Sequence, residues 1–483
     1  MTAGAQEPPG PDHSVTPEPQ TLPEPQTSPE PQTSPPAANP TAHPEVAPVP
    51  QIFLKEPASA MFGKTKVTLI NFIEFDAFHD STQSFQDSYG GAIARSNVYA
   101  GQHGRTNFLA RNTQFGLQVD GPEFGGMKPS GHCRMDFNGQ QPGTPQNGTS
   151  EYAFQTSATA RLFHCYGSLQ TPYVDVLGGL TYTLFGNQPY FFPASLTFLG
   201  IPGEIFVRTP QFRLSHQFAT PHVDVFVALA AARPPQRDAE LPDGVGAMRV
   251  LFNDWKGAHT LGAVGVKVDP AAIGISGEVR KFRVQELAVS PVNSHTENGA
   301  GISLDALIPI IPSSGLTDVG NTMTATAAFT TGYGISDSYT NLTAGAPAQT
   351  RLAAPGAAPY APAPAQLDID PGLAYYDPSG ILHAVSWQSV NVGLQYRFPG
   401  PGNVYAFGNY TYLKSNNLAE LRPPAAGAVS TVFKAQSFAA GGIGWAIVPN
   451  FQMSFEYSNL KQTFLDEGKE TNNRFSFATY YVY

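Results

Sequence analysis

The chain is short of charge. Only 13% of its 483 residues are Asp, Glu, Lys or Arg, about half the share usual in soluble globular domains. Two cysteines allow at most one disulfide, which excludes a disulfide-stapled scaffold. No run of 18 apolar residues occurs, and the longest, near Val223 to Ala232, is too short to cross a bilayer as a helix. A net charge of -10 argues against nucleic acid as a partner. The 11 histidines form no HExxH motif and no close ligand cluster, so no metal and no cofactor is expected. No Ser or Asn with a matching His suggests a lipase-like site, and the chain is not expected to be an enzyme. The opening MTAGAQEPPG lacks the basic and apolar regions of a secretory signal. A secreted protein would have carried one, so the sequence reads as a mature form.

Aromatic residues and glycine are plentiful. Aromatics make up 11% of the chain, with 20 Tyr, 32 Phe and 47 Gly, yet mean hydropathy is only -0.18. Few charges, many aromatics and no membrane helix fit a transmembrane β-barrel, whose alternating faces cancel in a hydropathy average.

The last residues, FSFATYYVY, show that alternation. Phe475, Phe477, Tyr481 and the terminal Tyr483 share one parity, while Arg474, Ser476 and Ala478 take the other. Period two means a strand with two chemically different faces, and a strand that runs to the chain end must be held by a sheet. In Phe451 to Ser458, Phe451, Met453, Phe455 and Tyr457 oppose Gln452, Ser454, Glu456 and Ser458. In Tyr173 to Leu184, Val174, Val176, Leu180, Tyr182 and Leu184 oppose Asp175, Thr181 and Thr183. A polar interior inside an apolar exterior is what a water-filled lumen in a membrane requires. Phe475, Phe477, Tyr481 and Tyr483 are read as lipid-facing and as the assembly signal of the closing strand.

Residues 1–60 are different material. From Thr16 the chain reads TPEPQT, LPEPQT, SPEPQT. Such Pro-rich sequence favours extended polyproline II, and some 50 residues at ~3.1 Å each reach roughly 150 Å. It is expected to be a periplasmic linker, or a spacer reaching the cell wall. The barrel is assigned to 66–483.

Short, turn-rich connections (Asp120-Gly-Pro, Thr171-Pro, Thr220-Pro, Phe398-Pro-Gly-Pro-Gly, Pro449-Asn450) alternate with long polar ones at about 79–104, 139–151, 185–204, 232–244, 269–298, 334–383, 414–433 and 460–472. Outer-membrane barrels have this asymmetry. The strands between are expected at 66–78, 105–119, 127–138, 152–170, 173–184, 205–218, 222–231, 245–253, 258–268, 299–311, 320–333, 384–397, 403–413, 434–447, 451–459 and 473–483. This is an all-β antiparallel barrel of about 16 strands with both termini on the periplasmic side. The stretch 254–298 is its weakest part, since GISGEVRKFRVQEL also reads as a strand pair.

ARNTQFGLQVDGP (110–122), CRMDFNG (133–139), ARLFHCYGSL (160–169) and FVRTPQFRLS (206–215) occur in that order. Together they resemble the DcaP-like porins of Gram-negative outer membranes, over roughly 66–333. The resemblance implies a trimeric sixteen-stranded channel for small solutes, with a preference for anions such as dicarboxylates. Two features depart from it. The PEPQ repeat replaces a helical amino-terminal segment, and Gln114 follows Arg111 where a second basic residue is common.

By parity Arg134, Arg161, Arg213, Arg249, Arg397 and Arg474 face the lumen together with Asp136, Asp175, Asp224 and Glu456. Fixed charges tune pore selectivity, and guanidinium suits carboxylates. Arg134, Arg161 and Arg213 are read as a basic ladder, the alternative being pairing with nearby carboxylates. The connection NQPYFFPASLTFLGIPGE (187–204) is apolar for an exposed loop. Irregular backbone at membrane depth must be buried in protein or line a cavity, so it is expected to fold inward, with Tyr190, Phe191 and Phe192 narrowing the pore, or else to meet another subunit.

Cys133 and Cys165 lie on neighbouring strands but on opposite parities, counted from outward Met135 and inward Arg161. Parity argues against a disulfide unless a bulge restores the phase. Gly441-Gly-Ile-Gly reads as tight packing within a strand. Asp368, Asp370 and Asp377 read as a solvated acidic loop rather than a Ca²⁺ site.

The reading is a porin in the outer membrane of a Gram-negative bacterium, surrounded by lipid, expected as a homotrimer, passing small polar solutes and favouring small anions. The competing reading is a structural barrel tethered to the cell wall through its Pro-rich arm.

Overall fold

The computed structural model describes residues 58–482, apart from 140–157, 187–191, 196–199, 235–240, 261–264, 286–291, 341, 343–372, 378–380, 422–426 and 428. The Pro-rich repeats, Tyr190, Phe191, Asp368, Asp370 and Tyr483 therefore lie outside the described residues, and so does most of the 334–383 connection. Among the described residues no helix is long and apolar enough to cross a membrane.

Sixteen strands make up the wall. They are β1 (Thr65–Leu69, resuming as Phe72–Asp80), β2 (Arg105–Leu109, resuming as Phe115–Asp120), β3 (Lys128–Gly139), β4 (Thr159–Gln170), β5 (Asp175–Tyr182), β6 (Arg208–Phe218), β7 (Val223–Ala232) and β8 (Asp243–Thr260). The second half comprises β9 (Val266–Gln285), β10 (Ser294–Ile311), β11 (Thr322–Tyr333), β12 (Ser386–Arg397), β13 (Val404–Ser415), β14 (Phe433–Val448), β15 (Phe451–Phe464) and β16 (Lys469–Val482). Each pairs antiparallel with the next in sequence. The last pairs with the first from Arg474↔Asp80 to Val482↔Phe72. The ring of pairings thus has no free edge, which is how a barrel satisfies every backbone group in lipid. Where β1 and β2 break, the main chain stays joined. Phe72 and Gln114 exchange N–H···O bonds of 3.0 Å, and the Asn71 side chain accepts from Gly116 N at 3.0 Å.

Most long connections leave one rim and the short turns leave the other. The region 245–298 differs from the sequence reading. β8 runs through 254–257, which fell between two expected strands, because a register shift between Phe252 and Lys256 absorbs the extra residues. β8 ends at Thr260, and β9 starts at Val266 and continues to Gln285 through what looked like a long loop. Pro270 sits at that shift, opposite Lys256, where a missing N–H is tolerated. At the other end β15 and β16 run further than their alternation suggested, leaving only 465–468 between them, with Glu467 at φ 64°.

Burial follows parity with the polarity inverted. Arg474, Ser476, Ala478 and Tyr480 are buried on the inner side of β16, while Phe475 and Tyr481 are exposed. Outward aromatics stack across strands: Phe455 on Phe477 at 4.8 Å and Tyr457 on Phe475 at 4.9 Å between ring centres. Cross-strand aromatic pairs strengthen a sheet, and on this face they form the apolar belt. Inward Gly442 and Gly444 leave room for Phe407 and Tyr405. A Cβ there would lie 2.4 Å from Phe407 Cζ and 2.1 Å from Tyr405 Cζ.

Cys133 and Cys165 are directly opposed and disulfide-bonded, with Cα atoms 4.0 Å apart. The bulge that parity required is present. Between Arg134↔His164 and Met135↔Leu162 the register shifts, and the consecutive Phe163 and His164 are both buried inward. The extra residue turns Cys165 to the outer face beside Cys133. It also puts His164, which the parity of inward Arg161 would turn outward, at 0% exposure inside.

Candidate channel interior

The connection between β5 and β6 enters the barrel. Phe185 is fully buried, and Gly186 N donates to Ser276 Oγ of β9 at 2.9 Å. Gly186 has φ 78°, and a Cβ there would lie 2.4 Å from Ile205 Cβ, so only glycine fits this close crossing. The chain then reaches the far wall. Ser195 N donates to Glu456 Oε2 of β15 at 2.8 Å, and the Tyr480 hydroxyl of β16 donates to Ser195 O. Asn409 of β13 donates to Pro193 O, and Asn391 of β12 to Gly203 O at 3.1 Å. The inward course expected of this segment is therefore seen in its described parts. Phe192, read as a constriction residue, packs against Phe85, Tyr89 and Ile93 of the first long connection and Phe438 and Leu460 of the wall.

The connection that follows β11 joins it. Ser336–Ser338 form a buried 3₁₀ turn, Ile205 and Tyr339 make a β-bridge, and Phe206 N donates to Ser338 O at 2.9 Å. The inner faces of β7 and β8 are apolar here. Phe226, Ala228 and Val245 pack with Phe185, Ile205, Ile335 and Tyr339 into one cluster. The inward connections thus rest on a hydrophobic core of their own, built inside an otherwise polar lumen. At their junction Glu204 is buried. Burial pushes its carboxyl up to about 8, against the pull of the Ile201 N–H, which Oε2 accepts at 3.0 Å.

The opposite part of the wall is basic. Arg161 forms a two-pronged pair with Asp136, Nε to Oδ1 at 3.0 Å and Nη2 to Oδ2 at 2.5 Å. Arg134 and Arg208 both lie over the Phe163 ring, at 4.8 and 3.8 Å from its centre. Arg111, bonded through its carbonyl to Phe137 N of β3, sits 3.9 Å from Asp87. Four guanidiniums therefore gather at the break in β2, on β3 and β4 and at the start of β6, with Asp136 and Asp87 as carboxylate partners among the described residues. Cation–π contact holds a guanidinium over a ring without neutralising it.

The other residues singled out by parity are spread elsewhere. Arg213 turns from this group and donates to Tyr182 O at 2.7 Å and Gln211 Oε1 at 2.9 Å. Asp175 accepts from Thr171 N and Asp224 from Thr220 N, both at 3.0 Å, in turns at the short-turn rim. Arg249 lies 3.5 Å from Asp305. Arg397 donates to Gly402 O at 2.6 Å in another short-rim turn. Arg474 pairs with Asp80 at 2.8 and 2.7 Å and with the carbonyls of Gln86 and Asp87. Arg208 escaped sequence reading because it opens its strand, before the alternation begins. The bulge at Phe163–His164, which places the ring beneath it, left no sequence mark beyond the phase conflict of the two cysteines.

A closed sixteen-stranded barrel, polar within and apolar without, with described parts of its connections packed inside the lumen, is the transmembrane architecture of outer-membrane porins. Among solved structures, the outer-membrane channel DcaP of Acinetobacter baumannii matches with a TM-score of 0.62 and 16% identity, over 88% of this chain and 100% of that one. An anion-selective porin from Comamonas acidovorans follows at TM-score 0.48 and 9% identity, over 87% and 100%. OmpF of Salmonella typhi in complex with daunomycin matches at 0.46 and 10%, over 88% and 100%. The fold assignment rests on the first of these. No protein-family model and no curated protein matches the sequence.

Proposed function

We propose that this protein is an outer-membrane channel for passive diffusion of small polar solutes, favouring small anions, and that it works as a homotrimer without catalysing a reaction. One observation carries the anion preference: the basic group of Arg111, Arg134, Arg161 and Arg208 on the inner wall, with the carboxylates Asp136 and Asp87 as its described partners. Guanidiniums clustered beside a narrowed path attract anions and repel cations, and their planar shape suits carboxylates. The inward connection between β5 and β6 supplies the narrowing. The Pro-rich segment is assigned a spacer role toward the cell wall.

Reversal potentials across a planar bilayer in a salt gradient test this reading. Anion selectivity is expected, reduced severalfold in a triple Arg134→Ala, Arg161→Ala, Arg208→Ala variant that still conducts. Cation selectivity of the unmodified protein, or no change in the variant, defeats the anion preference. Insertion in three equal steps supports the trimer, and a bilayer that stays silent defeats the channel.

A further inference from the structure

Solute passage makes no use of the outer face, and one sector of that face carries unpaired charge. Three lysines stand there at the rim of the long connections: Lys414 on β13, Lys461 on β15 and Lys469 on β16. The register places Lys414, Ala435, Thr463 and Lys469 in one row across four strands, with Tyr412, Ser437, Lys461 and Thr471 in the row beneath. Each lysine belongs to an outward series, Lys414 with Tyr410 and Tyr412, Lys461 with Phe455 and Tyr457, Lys469 with Phe475. Among the described residues none of the three ammonium groups makes an ion pair or a hydrogen bond. The carboxylates of this rim are held by other cations. Asp466 lies 3.1 Å from Arg95 and Glu470 3.3 Å from it, and Glu467 pairs with Lys434.

Their depth follows from the strand. Between Tyr481 and Thr471 of β16 the wall climbs roughly 25 Å, at ~3.3 Å per residue and a tilt of about 40°, which is the height of a barrel's apolar band. Lys461, in the row of Thr471, therefore stands where hydrocarbon gives way to headgroups, with Lys414 and Lys469 one row further out. Beneath them β14 turns the small Ser437, Ala439 and Gly441 outward, between exposed Tyr410 and Tyr412 on one side and Phe455 and Tyr457 on the other. This furrow leads at Gly441 into an apolar hollow of about 520 Å³ bounded by Ile443, Phe455 and Phe477.

We infer that this sector binds an anionic lipid of the outer leaflet, a phosphate meeting Lys414, Lys461 and Lys469 and an acyl chain lying along the furrow toward Ile443. Charge and depth favour a lipid over a second copy of the chain. A lipid brings phosphate to the level of the lysines and hydrocarbon directly below, whereas another barrel wall turns aromatic and aliphatic side chains outward.

The test is a titration of the detergent-solubilised full chain with bis-phosphorylated lipid A and, separately, with its dephosphorylated form. Thermal unfolding is read by heat-modifiable gel migration, which also shows whether each variant is folded. The midpoint is expected to rise with the phosphorylated lipid and much less with the other, and inorganic phosphate alone should not raise it. A combined Lys414→Gln, Lys461→Gln, Lys469→Gln variant should need at least about tenfold more lipid for the same rise. Removing the same charge at the short-turn rim, through Lys64→Gln, Lys66→Gln and Lys128→Gln, should leave the response unchanged. Gly441→Phe, whose Cβ would meet only Phe407 O at 3.7 Å, blocks the furrow, leaves the charges and should also blunt the response. Equal response to both lipids, an equal rise with inorganic phosphate, an unchanged response in the long-rim lysine variant or in Gly441→Phe, or an equal loss in the short-rim variant overturns the proposal. A fall in subunit number in Gly441→Phe, seen by light scattering, assigns the furrow to a second copy and overturns it as well. Bilayer conductance measured on the same samples is independent of these outcomes, so failure here leaves the channel reading to its own test.

Discussion

Cys133 and Cys165 show how one residue can change the face of a strand. Without the extra residue at Phe163–His164 the two thiols would point to opposite sides of the wall. With it they meet on the outer face across 32 residues of chain. Closing a loop of that length constrains the unfolded chain by about 3–4 kcal/mol in the chain-entropy model. The Cys133→Ser, Cys165→Ser double variant should therefore fold but lose its barrel at a lower temperature, seen as an earlier heat-modifiable shift. Conductance should not change, because the bond lies outside the lumen. The same bulge sets the ring over which Arg134 and Arg208 lie, so one local insertion serves both faces.

At the scale of an element, the connection between β5 and β6 is held by few kinds of contact, each of which can be released. Gly186→Ala adds a Cβ 2.4 Å from Ile205 Cβ at φ 78°, a cost above about 1 kcal/mol. The segment should lift from Ser276, and single-channel current should rise and become noisier. Glu204 supplies a pH dependence of known sign. Its folded value of about 8 lies above the ordinary 4.5. Docking of the segment is then fully favoured below about 4.5, weakens as pH climbs, and has lost this contribution by about 8. Open-channel fluctuations should increase over that window and level off above it. Glu204→Gln, which stays neutral, should keep the low-pH behaviour throughout. A pH-independent unmodified channel would remove Glu204 from this role.

For the whole molecule the closing seam decides assembly. Arg474 of β16 is 1% exposed, bonded to Asp80 of β1, and stacked over Phe78 and Tyr89 at 4.3 and 4.4 Å. It joins the two ends of the barrel to the first long connection. Removing one partner of a buried pair leaves the other uncompensated, at a cost of about 3–5 kcal/mol. Arg474→Ala should slow or reduce barrel formation in refolding assays, whereas Arg249→Ala, away from the seam, should not. The aromatic parity of the chain end in sequence carries a separate expectation. A charged residue in place of Tyr483 should lower outer-membrane levels more than it alters conductance, and normal levels would remove the terminal residue from assembly.

The sequence alone determined the class of fold. Period-two alternation in segments such as Phe451 to Ser458, with Phe and Tyr opposite Gln, Ser and Glu, leaves only a wall with water on one side and lipid on the other. Turn residues such as Phe398-Pro-Gly-Pro-Gly placed most boundaries. Where alternation lapsed, tertiary pairing decided: Pro270 and Asp254-Trp255 fell outside the expected strands, and only the bulged register of β8 against β9 makes them strand. The interior was legible by side and not by partner. Parity turned Arg134, Arg161, Arg213 and Arg474 inward. It did not separate the arginines gathered near Phe163 from Arg213, spent on Tyr182 O, or Arg474, spent on Asp80. Those partners come from strands and connections up to hundreds of residues apart, brought together when the barrel closes and its connections fold inward. Alternation is a property of neighbouring residues and is written along the chain, whereas a guanidinium's partner is a property of the closed ring.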